Sequence, residues 1–119
     1  NANNLKLNIS DTSVFARKRL RINFQTASYT LTYDDENTLV LMNVATANNL
    51  TMPPTASASF TLGSNGSFVA YGAGETTIVA GSGVTLRTAD GATRTRVTYS
   101  GGTWGGIGTN DYLILGDIK

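Results

Sequence analysis

No segment of this chain holds one residue pattern for more than about nine positions before turn-forming residues break it. Leu5, Leu7 and Ile9 alternate with polar residues, and Asp11-Thr12-Ser13 ends the run. Residues 16–24 place Leu20, Ile22 and Phe24 on one face and Arg17, Arg19 and Arg21 on the other. Tyr29, Leu31 and Tyr33 alternate with threonines up to the acidic turn Asp34-Asp35-Glu36-Asn37. A continuous apolar run over 38–44 suits a strand covered on both faces. Further short strands are expected over 50–52, 59–62, 67–71, 76–80, 84–88, 93–100 and 112–115, with Asn65-Gly66 as a type I′ hairpin turn. About ten strands at 8–12-residue spacing, with no helical periodicity, predict a small antiparallel β-sandwich or barrel.

Composition agrees. Charged residues are 14% of the chain, below the ~25% usual for a soluble domain. Threonine, asparagine and glycine fill the gap, and these are strand and turn formers. At 119 residues the chain suits one core. No run of apolar residues is long enough for a membrane-crossing helix, so no membrane insertion is expected. The chain opens on Asn1 rather than Met, which reads as a piece of a longer polypeptide.

The missing residue types restrict the chemistry. Without histidine or cysteine there is no Ser-His-Asp triad, no thiolate nucleophile and no imidazole or thiolate metal site. The absence of cysteine also fits synthesis in a reducing cell. A net charge of +1 sets up no field that would attract nucleic acid. Eight carboxylates could in principle supply a glycosidase pair, but most sit in turns and a small sandwich has little room for a cleft. No enzyme activity, cofactor or metal is expected. The acidic turn at 34–36 could offer oxygens to calcium, but a solvated turn between two strands is the better reading. Gly72-Ala73-Gly74 lacks the third glycine and the helix of a dinucleotide loop and reads as a turn.

Two features invite a binding role. In Gly101-Gly102-Thr103-Trp104-Gly105-Gly106-Ile107-Gly108, five glycines surround the only tryptophan. Such a loop could stack the indole on a sugar, or the indole could plug the core. The run Arg17-Lys18-Arg19-Leu20-Arg21 holds four of nine basic residues, leaving five basic against eight acidic elsewhere. Arg94 and Arg96 repeat the pattern on a later strand. Charge is thus segregated, which suits an acidic polysaccharide, a neighbouring subunit's acidic turn, or a charge-guarded edge strand.

From Ser28 onward the segments Tyr29-Thr30-Leu31, Leu39-Val40-Leu41-Met42-Asn43, Leu50-Thr51-Met52-Pro53-Pro54, Tyr71-Gly72-Ala73-Gly74, Gly81-Ser82-Gly83-Val84-Thr85-Leu86 and Asn110-Asp111-Tyr112-Leu113-Ile114-Leu115-Gly116-Asp117 form a recognisable series. It resembles the small β domain at the C-terminal ends of tail fibres of tailed bacteriophages, with Tyr112 where that pattern would carry tryptophan. The resemblance implies a host-recognition domain over 28–119 and a trimerising or linking segment over 1–27. It further implies a homotrimer at the distal end of a virion's tail fibre, contacting bacterial surface polysaccharide, either capsule or lipopolysaccharide. On that reading Trp104, Tyr99, Tyr71, Arg94 and Arg96 are glycan-contact candidates. Arg17, Arg19, Arg21, Asp34 and Asp35 are trimer-contact candidates. A structural cap that binds no glycan is the alternative. A polysaccharide-cleaving tailspike would need a longer repetitive β region.

Overall fold

The computed structural model describes residues 19–119; the strand expected over 5–9 and Arg17 lie outside them. Nine strands are formed among the described residues: β1 (Arg21–Gln25), β2 (Tyr29–Thr30), β3 (Thr38–Met42), β4 (Asn48–Met52), β5 (Asn65–Ala70), β6 (Thr76–Ala80), β7 (Thr85–Arg87), β8 (Gly101–Gly108) and β9 (Asp111–Gly116). A single turn of helix, α1 (Thr55–Ala58), and two 3-10 turns (Tyr33–Asp35, Ala89–Gly91) complete the elements. The β-rich character expected from the turn punctuation holds.

The topology differs from the expected antiparallel one. A six-stranded sheet runs β1-β3-β5-β8-β9-β7, and a three-stranded sheet runs β2-β4-β6. The first six strands alternate between the sheets, and every pairing among them is parallel. The chain is therefore wound as a coil through two sheets. Only β5 with β8 and β8 with β9 pair antiparallel. Turn residues mark where a strand stops; they do not say whether the next strand folds back beside it or crosses to the opposite sheet. The boundary expected at residue 28 falls between β1 and β2. Because β1 pairs with β3 along its whole length, from Arg21 beside Thr38 to Gln25 beside Met42, residues 21–25 belong to the same body as the rest.

Register sorts the side chains into two faces. Val40, Phe68, Trp104, Ile114 and Tyr112 point inward from the six-stranded sheet. They join Leu50, Met52 and Ile78 of the smaller sheet in one buried cluster. Phe60, expected on a strand over 59–62, instead follows α1 and packs 4.7 Å from Trp104 between ring centres. The buried Tyr112 hydroxyl donates to the Pro53 carbonyl at 2.7 Å, satisfying the polar end of a ring whose body is core.

Two glycine sites explain elements that were expected to be loops. A Cβ on Gly66 would stand 2.6 Å from Trp104 Nε1, so glycine here makes room for the indole. Asn65 and Gly66 accordingly open β5 instead of turning a hairpin. On β8, a Cβ on Gly101 would strike the Phe68 carbonyl and one on Gly102 the Leu115 carbonyl. The glycine-rich segment is thus the longest strand, drawn tight between β5 and β9.

Candidate functional site: an aromatic rim on an uncharged sheet

Trp104 is fully buried at 0% exposure and cannot serve as the surface stacking platform expected from the sequence. Its surroundings correct the expectation: Phe60, Tyr112 and Gly66 enclose the ring. The indole is the plug of the core.

The other two aromatic candidates are brought together at the surface. Tyr71 follows β5 and meets Tyr99 edge-on, ring centres 5.7 Å apart. Phe24 of β1 meets the other side of Tyr71 at 5.5 Å. Tyr99 is 71% exposed, Phe24 56% and Tyr71 42%. The three rings form a row along the end of the sheet where β1, β3 and β5 stop. Phe24 carried no signal for this role, because its alternation with Asn23 and Gln25 reads as core facing in.

The phase of β1 is in fact inverted. Ile22 and Phe24 point outward, in register with Leu39 and Leu41, whereas Asn23 and Gln25 take the inward positions beside Val40 and Met42. Asp35 accounts for this inversion. It is only 2% exposed. Its carboxylate accepts Asn23 Nδ2 at 2.7 Å, the Tyr29 hydroxyl at 2.7 Å and the Thr32 backbone amide at 2.8 Å. Gln25 Nε2 donates in turn to Asn23 Oδ1 at 2.7 Å. A buried carboxylate must be satisfied by donors, so the inward face of β1 is polar. Burial, together with the hydrogen bond to Asp35, raises the Tyr29 phenol above its ordinary pKa. Asp35 is therefore unavailable as a subunit contact, contrary to expectation.

Asp34, Arg19 and Arg21 are exposed. Arg19 and Arg21 share a cleft of about 650 Å³ with Glu36, Asn37 and Asn65. The basic row and the acidic turn, expected to meet across subunits, thus lie beside each other within one chain.

Arg94 and Arg96 are not on a regular strand. The segment expected as a strand over 93–100 makes two single bridges, Thr77 with Arg94 and Thr95 with Ile118. It then tightens into a loop pinned by Ser100. Ser100 Oγ accepts the amides of Arg96 at 2.8 Å and Val97 at 3.0 Å and donates to the Val97 carbonyl at 2.6 Å. That loop holds Tyr99 at φ 70°, a left-handed conformation that bulky residues rarely adopt. Arg96 makes a two-pronged pair with Asp117, both contacts 2.8 Å. The hydrogen bond from Arg96 holds the Asp117 carboxyl below its ordinary pKa. Arg94 approaches Glu75 at 3.7 Å. Both arginines are exposed and internally neutralised.

What this arrangement offers is a rim of edge-on aromatic rings beside one guanidinium–carboxylate fork, Arg96 from the Tyr99 loop and Asp117 from the end of β9. Aromatic faces stack on sugar C–H groups, and the fork presents donors and acceptors to hydroxyls. No protein-family model, curated protein or solved structure matches the chain.

Proposed function

We propose that this chain is the tip of a bacteriophage tail fibre, a β-sandwich-like trimer that binds a bacterial surface glycan during host adsorption. The observation that carries the proposal is Tyr99, exposed, held at φ 70° by a pinned loop, and stacked edge-on against Tyr71. Backbone strain of this kind costs about 1–3 kcal/mol and clusters at ligand-contact sites. The series of strand and turn residues from Ser28 onward supports the phage reading. Tyr71 and Tyr99 give the sugar a stacking surface, with Phe24 packed behind Tyr71; Arg96 and Asp117 meet its hydroxyls. Three such sites on one fibre would add by avidity.

A fibre cap that binds no sugar is the second reading, and the internal pairing of Arg94 and Arg96 favours it. The test is whether the fluorescently labelled protein stains a bacterial strain and whether that strain's purified polysaccharide blocks the stain. Staining that is blocked by the polysaccharide and lost in Tyr99→Asn supports the proposal. No staining across a broad panel of strains overturns it.

A further inference from the structure

The outer face of the six-stranded sheet carries no charged side chain between β1 and Leu113 of β9; its first charges are the paired Arg87 and Asp111 at the β7 edge. Its rows run Ile22–Leu39–Ser67–Thr103–Leu115 and Phe24–Leu41–Val69–Gly101, with Gly105 beside Leu113 completing it. Ile22, Phe24 and Leu115 are at least half exposed, and Leu20, which leads into β1, is 59% exposed. With Leu113 at 37%, these side chains present on the order of 500 Å² of apolar surface, near the upper limit for a monomer's largest patch. Leu39, Val69, the Ser67 and Thr103 side chains and the glycine backbone between them extend the face toward the ~800 Å² per partner of a standard interface. The charges at the far side are already paired: Arg87 with Asp111 at 3.0 Å and Arg96 with Asp117 at 2.8 Å.

We infer that this face is where copies of the chain meet, and that the occupant is a second copy of the same sheet. An uncharged, apolar face repels charged partners by the cost of desolvating them unpaired. A second copy supplies the same uncharged rows over the same area, close to what a standard interface buries per partner. Three such faces turned toward a common axis, as in the proposed trimer, meet without like-charge conflict. The aromatic rim at the strand ends borders this contact, so the subunit junction and the proposed sugar site are neighbours. The inference rests on the assembly half of the proposed function and replaces the charged contacts expected from the sequence with an apolar one.

The test uses the whole chain, without glycan. Sedimentation at roughly 100 μM should show a trimer. Leu115→Lys should weaken association by at least about tenfold while leaving the circular dichroism spectrum unchanged. A photo-cross-linking residue at Thr103 should link two chains through the outer faces of β3, β5, β8 or β9; this readout does not depend on any charged variant folding. A monomeric wild-type chain overturns the inference. So does an assembly unmoved by Leu115→Lys, or a cross-link that runs to residues 1–18 of the same chain. Mass and cross-links are read without sugar, so their failure leaves the staining experiment to judge glycan binding separately.

Discussion

Gly66 lies directly beneath the indole of Trp104, so close that a single methyl group would stand 2.6 Å from Nε1. The strand pair β5–β8 puts the two residues opposite each other, and the absence of a side chain on one is the space occupied by the other. Gly66→Ala should therefore destabilise by about 1–3 kcal/mol through overpacking. Trp104→Ala, which leaves a cavity, should cost about 3–5 kcal/mol. Denaturant melts measure both, and the fluorescence of Trp104 should move to the red in Gly66→Ala if the ring is displaced. An unchanged melt in Gly66→Ala would show that the ring has slack the structure does not.

Asp35 and its donors give a graded prediction. Tyr29→Phe removes one of the donors to a buried carboxylate and should cost about 1–2 kcal/mol. Asp35→Ala leaves the Asn23 and Tyr29 donors without their acceptor and should cost more, about 2–4 kcal/mol. The order of the two variants in a urea melt is the check. Equal costs would mean that the polar inward face of β1 is held by something other than this carboxylate.

The pH dependence follows from the tyrosines and one aspartate. Burial raises Tyr29 and Tyr112 above the ordinary value of 10.0. Folding thus favours their neutral form. That stability is complete below pH 10 and erodes as pH rises through the folded-state values. Asp117 is lowered below 3.8 by the hydrogen bond from Arg96, so its contribution is present above 3.8 and is lost as pH falls through its folded-state value. With no histidine in the chain, the melting temperature should be level from roughly pH 5 to 9. A step in melting temperature near pH 6.5 would contradict this assignment.

Tyr99 separates function from stability. Asparagine tolerates the left-handed conformation that Tyr99 adopts. Tyr99→Asn should change stability by less than about 1 kcal/mol, because it relieves strain while losing the Tyr71 contact. Its effect on bacterial staining should be about tenfold, since an aromatic contact is worth about 0.5–1.5 kcal/mol beyond the area it buries and about 1.4 kcal/mol is a factor of ten. A variant that melts like the wild type and still stains would remove Tyr99 from the site.

Much of the strand inventory was legible from sequence because strand ends are local. Residues 76–80 and the segment around 112–115 coincide with β6 and β9 to within a residue or two, since alternation and flanking turn residues specify both. Partnering was not legible. Whether β3 lies beside β4 or beside β5 depends on contacts distant in sequence, and Thr38–Met42 carries no mark of its parallel neighbours. The glycines of β8 misled for a physical reason: glycine permits both a loop and the close approach of two backbones, and only the positions of the Phe68 and Leu115 carbonyls decide between them. Of the site, Tyr71 and Tyr99 were legible as candidates only, since alternation let them point outward while Val97 on the same face argued for Tyr99 as part of the core. Phe24 was not, because the burial of Asp35, 12 residues beyond Asn23 in the chain, inverts β1.

The coil has one more consequence, for how this surface can vary. Successive turns of the coil need not have equal length: Leu39 follows its ladder neighbour Ile22 by 17 positions, and Ser67 follows Leu39 by 28. The longer turn carries α1 and Phe60 without disturbing the ladder on either side. Residues added at a corner between strands would likewise leave every rung in place. A lineage could lengthen, shorten or recode those corners freely while the inner rows of Val40, Phe68 and Ile78 stay as they are.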